Sequence, residues 1–218
     1  MRDTQLYAQI LGIIAPWRVT DVALDREQHE VRVQVEHGGE SLHCPECGQA
    51  CPGYDTRQRR WRHLDTCQYR TILVADVPRV RCPEHGVKQI AVPWAEPNGR
   101  FTALFEALVI DWLKEASISA VARQLRLSWD EADTILQRAV DRGLARRELE
   151  APKHVAVDEL SQRRGHNYLT IVSDRTTGHV LHVEPDRKQS SLSAFYEQLG
   201  EEACAEIESV TMDMWPAY

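Results

Sequence analysis

Three observations predict a multidomain α+β chain. Two cysteine-bearing knuckles bracket a β-rich stretch, a run of 3.6-residue apolar periodicity follows, and a set of short apolar strands interrupted by one helix comes last. The 218 residues divide at two proline-containing joints, "VPWAEPNGR" and "LEAPKH". The predicted units are an N-terminal helix and β-hairpin over 1–41, a cysteine ribbon over 42–95, a helical domain over 96–150 and a strand domain over 151–218. No internal repeat or low-complexity tract interrupts them. The net charge of −7 argues against a general nucleic-acid coat protein, although a basic patch can sit on an acidic chain. No apolar run approaches a membrane span, and "MRDTQLYAQILGIIAPWR" lacks a signal-peptide pattern, which points to the cytosol and to no membrane partner. Six cysteines in a cytosolic chain read as thiols or metal ligands rather than disulfides.

The opening "TQLYAQILGII" reads as a short amphipathic helix. In the next segment Val31, Val33 and Val35 alternate with Arg32, Gln34 and Glu36, and "DREQ" supplies the turn of a hairpin. "CPECG" then sets Cys44 and Cys47 in a C-x2-C knuckle, and "CPEH" sets Cys82 and His85 in a C-x2-H knuckle. A two-residue spacer lets both ligands of a pair reach one ion from a tight turn, so Cys44, Cys47, Cys82 and His85 form a tetrahedral, structural zinc site of the zinc-ribbon kind. Unbonded thiols with a surface histidine are the alternative. Cys51 could substitute in a distorted site, and Cys204 reads as core packing.

Between the knuckles lies "YDTRQRRWRHLDTCQYR". Arg57, Arg59, Arg60, Arg62 and Arg70 with Trp61 and Tyr69 form the most basic aromatic stretch of the chain. Arginines with aromatic spacers suit phosphate contact and stacking on DNA; a solvated strand pair is the plainer reading.

"FTALFEALVIDWLKEA" places Phe101, Leu104, Phe105, Leu108, Val109, Trp112 and Leu113 on one helical face. "SISAVARQLRL" follows, and "SWDEADTILQRAVDRGL" opens with a capping box from Ser128 to Glu131. A short helix, a tight turn and a longer capped helix predict a helix-turn-helix whose second helix exposes Asp133, Thr134, Gln137, Arg138 and Arg142 to a DNA major groove. A plain three-helix bundle is the alternative.

"HVAVDEL" reads as an apolar strand ending in Asp158. "NYLTIVSD" and "HVLHVEP" form a hairpin, "SSLSAFYEQLG" a helix with Leu192, Phe195 and Leu199 inward, and "IESVTMDM" a last strand carrying Asp213 near its end. A right-handed crossover lays the last strand beside the first and brings both aspartates to one end of the sheet. Paired carboxylates there suit Mg²⁺ or Mn²⁺, hard ions that can clamp the oxygens of a phosphodiester. Glu159 points to the opposite face.

The runs "CPECG", "RRWRHLD", "VRCPEHG", "ISAVARQLRLSW", "VAVDELSQRRGHNYLTIVSD" and "IESVTMDMWPAY", in this order, resemble the ISL3 family of bacterial insertion-sequence transposases. The resemblance covers nearly the whole chain. It implies a DNA-binding half of zinc ribbon and helix-turn-helix, followed by an RNase H-like DDE domain. In it Asp158 and Asp213 are catalytic and hold Mg²⁺ or Mn²⁺ with a downstream glutamate. It implies double-stranded DNA, the terminal inverted repeats of a transposon, as partner, action as a homo-oligomer, and a bacterial, nucleoid-associated location. The chain departs from the family in its C-x2-H second knuckle and in stopping five residues after Asp213, before a third acid. The expectation is a truncated, catalytically inactive DDE domain on a DNA-binding fragment. A non-enzymatic, sequence-specific DNA-binding regulator derived from a transposase is the alternative function.

Overall fold

The computed structural model describes residues 2–39, 41–147, 151–163 and 167–213. It is mixed α+β, with two sheets and two compact units, Met1–Arg142 and Gly143–Tyr218. The joint at 148–150 and the end of the last expected strand at Met214 lie outside the described residues.

The first unit begins with α1 (Asp3–Ile10) and the hairpin β1 (Trp17–Asp25) and β2 (Glu30–His37). Alternation decides which face of β2 turns inward: Val31, Val33 and Val35 are buried while Arg32 is exposed. Asp25 accepts the Gln28 amide at 2.9 Å in the turn, and His29 supplies the left-handed residue that reverses the chain. A long second hairpin, β3 (Gly53–Thr66) and β4 (Tyr69–Cys82), carries short β5 (Gly86–Gln89) on its far end. β2 runs parallel to β4 from Glu30 and Arg70 to Val35 and Ala75, so segments 1–41 and 42–95 share one sheet, in the order β1-β2-β4-β3. They also share one core, where Trp17, Trp61 and Trp94 pack edge to face at 4.8–5.4 Å among the valines.

Three helices complete this unit: α2 (Ala103–Glu115), α3 (Ile118–Leu125) and α4 (Trp129–Ala145, whose last turn crosses the unit boundary). Backbone bonds between Arg62 and residues 100 and 102 tie β3 to the start of α2. Thr102 caps α2, and Ser128 and Glu131 cap α4 reciprocally, at 3.1 and 2.9 Å. The inward face of α2 differs from the expected one. Phe105, Glu106 and Val109 are buried, whereas Leu104 and Trp112 are 52% and 44% exposed. The apolar arc of this helix is wider than the surface that β3 and α3 offer it, so only its 105–109 side is covered.

The second unit is a four-stranded sheet in the order β8-β7-β6-β9. β6 (His154–Arg163), β7 (Asn167–Asp174) and β8 (Val180–Pro185) form an antiparallel meander. Helix α5 (Gln189–Leu199) and a short α6 (Glu201–Ala205), which the apolar periodicity does not predict, lead to β9 (Ser209–Met212), parallel to β6. Val155, Val157 and Val172 meet Leu192 and Phe195 in its core. β6 does not end at Asp158. Its pairing with β7 continues to Arg163 and keeps the strand extended, so Asp158 stands in mid-strand.

Candidate functional site

The two knuckles converge. Ligand atoms of Cys44, Cys47, Cys82 and His85 all lie within 4.8 Å of one another, with Cys44 and Cys82 buried. Cys47 Sγ is 3.7 Å from Cys82 Sγ, and His85 Nδ1 is 3.8 and 3.5 Å from the sulfurs of Cys44 and Cys82. A tetrahedral zinc with ordinary bond lengths would need edges of about 3.8 Å between sulfurs and about 3.6 Å from sulfur to nitrogen. The donor set therefore fits zinc in both chemistry and spacing. Left-handed Gly48 and Gly86 follow the second ligand of each knuckle, at φ 71° and 69°, conformations in which a side chain would strain the turn. His85 turns its other nitrogen, Nε2, to Glu46 Oε2 at 3.5 Å, and Lys88 holds Glu46 Oε1 at 2.6 Å. Such a carboxylate fixes the imidazole for ligation through Nδ1. The backbone N–H of His85, aimed at Cys82, pulls that thiol down to about 6 and favours the thiolate a metal needs. Cys51 is buried beside Cys82 but stands outside the four-ligand cluster.

The arginine stretch on β3 divides. Arg62 is buried, ion-paired with Asp65, and its guanidinium lies over the Phe105 ring at 5.2 Å. It packs the junction with α2, which corrects the expectation of a DNA contact there. Arg60 and Arg70 converge on the nearly buried Glu30 at 3.4 and 2.9 Å, so much of their charge is already neutralised. Arg59 bonds the Gln89 side chain and the Gly99 carbonyl but meets no carboxylate among the described residues. Arg57 is exposed and meets none either.

On α4, Thr134 is exposed and bonds back to the Asp130 carbonyl, and exposed Gln137 donates to Asp133 at 2.6 Å. Arg138 and Arg142 do not project outward as expected. Both turn toward Glu106 of α2, at 2.5 and 3.6 Å, because that carboxylate is buried and needs positive partners.

In the second unit the last paired rung between β6 and β9 is Val157 with Met212. The next step along both strands is Asp158 and Asp213. Asp158 is still within β6, on the face opposite Val157 and the α5 core, while Asp213 is the first residue past the end of β9. Both are exposed. Glu159 lies on the core side with Val157, 3.7 Å from Arg187.

Three family models match in succession. A zinc-finger of transposase IS204/IS1001/IS1096/IS1165 matches residues 40–85, the helix-turn-helix domain of transposase family ISL3 matches 90–140, and an ISL3 transposase domain matches 155–218. The chain belongs to the ISL3 transposase family. Relatives include the transposase for insertion sequence element IS1557 of Mycobacterium tuberculosis, 31% identical over 98% of this chain and 50% of the relative. The transposase for IS1001 of Bordetella parapertussis is 29% identical over 80% of this chain and 44% of the relative. The chain thus spans about half the length of the curated relatives it matches. No solved structure matches it. Among the described residues, no helix is long and apolar enough to cross a membrane.

Sequence reasoning missed two acids that organise this ISL3 chain. Glu106 sits on the buried arc of α2 beside Phe105 and Val109, and a helical wheel would have exposed the conflict. Glu30 gathers Arg32, Arg60 and Arg70 from three strands, and no local signal announces that.

Proposed function

We propose that this chain acts in DNA transposition of an ISL3-like insertion sequence, on chromosomal DNA in the bacterial cytoplasm. Its first unit grips the terminal inverted repeats through a zinc-stabilised ribbon and a helix-turn-helix. Its second unit contributes Asp158 and Asp213 to strand cleavage and transfer, in a homo-oligomeric assembly on the element's ends. The observation that supports the proposal is the register of β6 and β9, whose last paired rung, Val157 with Met212, directly precedes two exposed aspartates in the region matching the family's transposase model. Oxygen donors of this kind suit Mg²⁺ or Mn²⁺. Such an ion, when bound, supplies Lewis-acid activation of an attacking hydroxyl and stabilises the leaving oxygen. The aspartates' own part is to fix it, and a mid-strand position holds Asp158 more rigidly than a loop would.

Mn²⁺ titration followed by NMR is the test. Paramagnetic broadening should centre on the amides of 157–159 and 211–213 and disappear in Asp158→Asn and in Asp213→Asn. Broadening spread evenly over the chain's other acids, and unaffected by both substitutions, overturns the metal assignment.

A further inference from the structure

Strand registers bring one face of the arginine-rich stretch together with two arginines of β4 that lie outside it. Asp55 of β3 faces Arg79 of β4, Arg79 faces Gln89 of β5, and two residues along each strand come Arg57 and Arg81. Directly opposed residues of antiparallel strands share a face, and alternation returns every second residue to it. Asp55, Arg57, Arg59, Arg79 and Arg81 therefore crowd one side of the three-stranded end of the ribbon. Side-chain contacts agree: Arg79 pairs with Asp55, and Arg59 reaches Gln89 at 3.3 Å. The bulge between Gly53 and Asp55 pushes Tyr54 out of the ladder, and its half-exposed ring lies beneath Arg81 at 4.8 Å and Arg79 at 5.6 Å.

Among the strand residues of this face four guanidiniums stand against one carboxylate, with Glu46 and Glu96 beside Arg59 at its inner end. Arg57 and Arg81 are exposed and meet no acid among the described residues. The arginines around Glu30 differ, since that carboxylate neutralises Arg32, Arg60 and Arg70. Solvent-facing arginines fixed on a rigid sheet, with no acid to satisfy them, suit contact with a phosphate backbone. We propose that this β3–β4–β5 face, through Arg57, Arg81 and the Tyr54–Arg79 stack, docks the phosphate backbone of duplex DNA. It rests on the DNA-binding role proposed for the first unit and specifies which side of the ribbon meets the duplex.

The test is fluorescence anisotropy of the zinc-loaded chain on a 30-base-pair random-sequence duplex, across a salt series. Each phosphate left without its arginine should flatten the slope of log K against log salt by about 0.9. Arg57→Gln and Arg81→Gln should each remove about one such step, and the double variant about two, with zinc content and circular dichroism unchanged. Arg60→Gln, already paired in the fold, should keep the wild-type slope. Wild-type binding with a slope that ignores Arg57 and Arg81 overturns this surface and leaves the DNA-binding role standing. A chain that binds no duplex removes the DNA-binding role itself. Flattening confined to single-stranded DNA overturns the assignment to a duplex.

Discussion

His63 gives the first unit a pH-dependent stability that can be worked out from its surroundings. The ring is 5% exposed, at the point where β3 meets α2, and shares a cavity of about 130 Å³ with Leu11, Leu73, Trp94 and Thr102. Its Nδ1 lies 2.8 Å from the Thr102 hydroxyl, which also accepts the Phe105 amide as the cap of α2. That hydroxyl serves both partners when it donates to a neutral imidazole. Burial, with the neighbouring Arg62 charge second, pushes His63 down to about 4. The folded value lies below the unfolded one, so the unfolded chain binds the extra proton first. Stability is then fully present above pH 6.5 and falls as pH drops toward 4, by about 1.4 kcal/mol per unit and about 3 kcal/mol in all. Urea unfolding of zinc-saturated wild type and His63→Gln from pH 7.5 to 4.5 isolates this contribution, because the zinc ligands are common to both proteins. The difference between them should shrink steadily below pH 6.5. A His63 ring that titrates near 6.5 in the folded chain, followed by NMR, would refute the reasoning, as would parallel stability curves.

Two further perturbations probe the same unit. Native mass spectrometry should find one zinc per chain, absent in Cys47→Ser; chelation should melt β3–β5, since structural zinc contributes on the order of 10 kcal/mol in small zinc domains. Unchanged thermal unfolding in metal-free buffer would count against the centre. Glu106→Ala should cost about 3–5 kcal/mol by stranding Arg138, whose Nε is already buried without a partner. A destabilisation below about 1 kcal/mol would mean the ion pair is solvated and α4 is held by packing alone.

What the sequence disclosed was local. The alternating valines of β2, the reciprocal cap at Ser128 and Glu131, and the two-residue ligand spacers each involve neighbours within a few positions, where backbone geometry leaves little choice. What it concealed was set by distant partners. Arg62 and Arg60 are near neighbours and chemically identical, yet one is buried over Phe105 and the other reaches Glu30 at the sheet surface. Only the β2–β4 pairing brings Glu30 within reach of β3, and only the packing of α2 covers Arg62. The length of β6 was concealed for the same reason. An acid after "HVAV" looks like a strand end until β7 is found paired along it as far as Asn167.

Partnering also changes where the charge for binding DNA must come from. On sequence alone, α4 offers two arginines to phosphates, but Glu106 takes both, and the outward side of the helix carries Asp130, Asp133 and Asp141 beside Thr134 and Gln137. A helix dressed this way can use Thr134 and Gln137 to read base edges, yet it cannot supply the counterion release that drives association. The free charge lies elsewhere: on exposed Arg123 of α3, and on Arg57 and Arg81 of the ribbon, none of which meets a carboxylate among the described residues. Affinity and sequence reading would then reside on different elements. Arg57→Gln or Arg81→Gln would weaken every duplex to a similar extent, whereas Gln137→Ala would change which duplex is preferred.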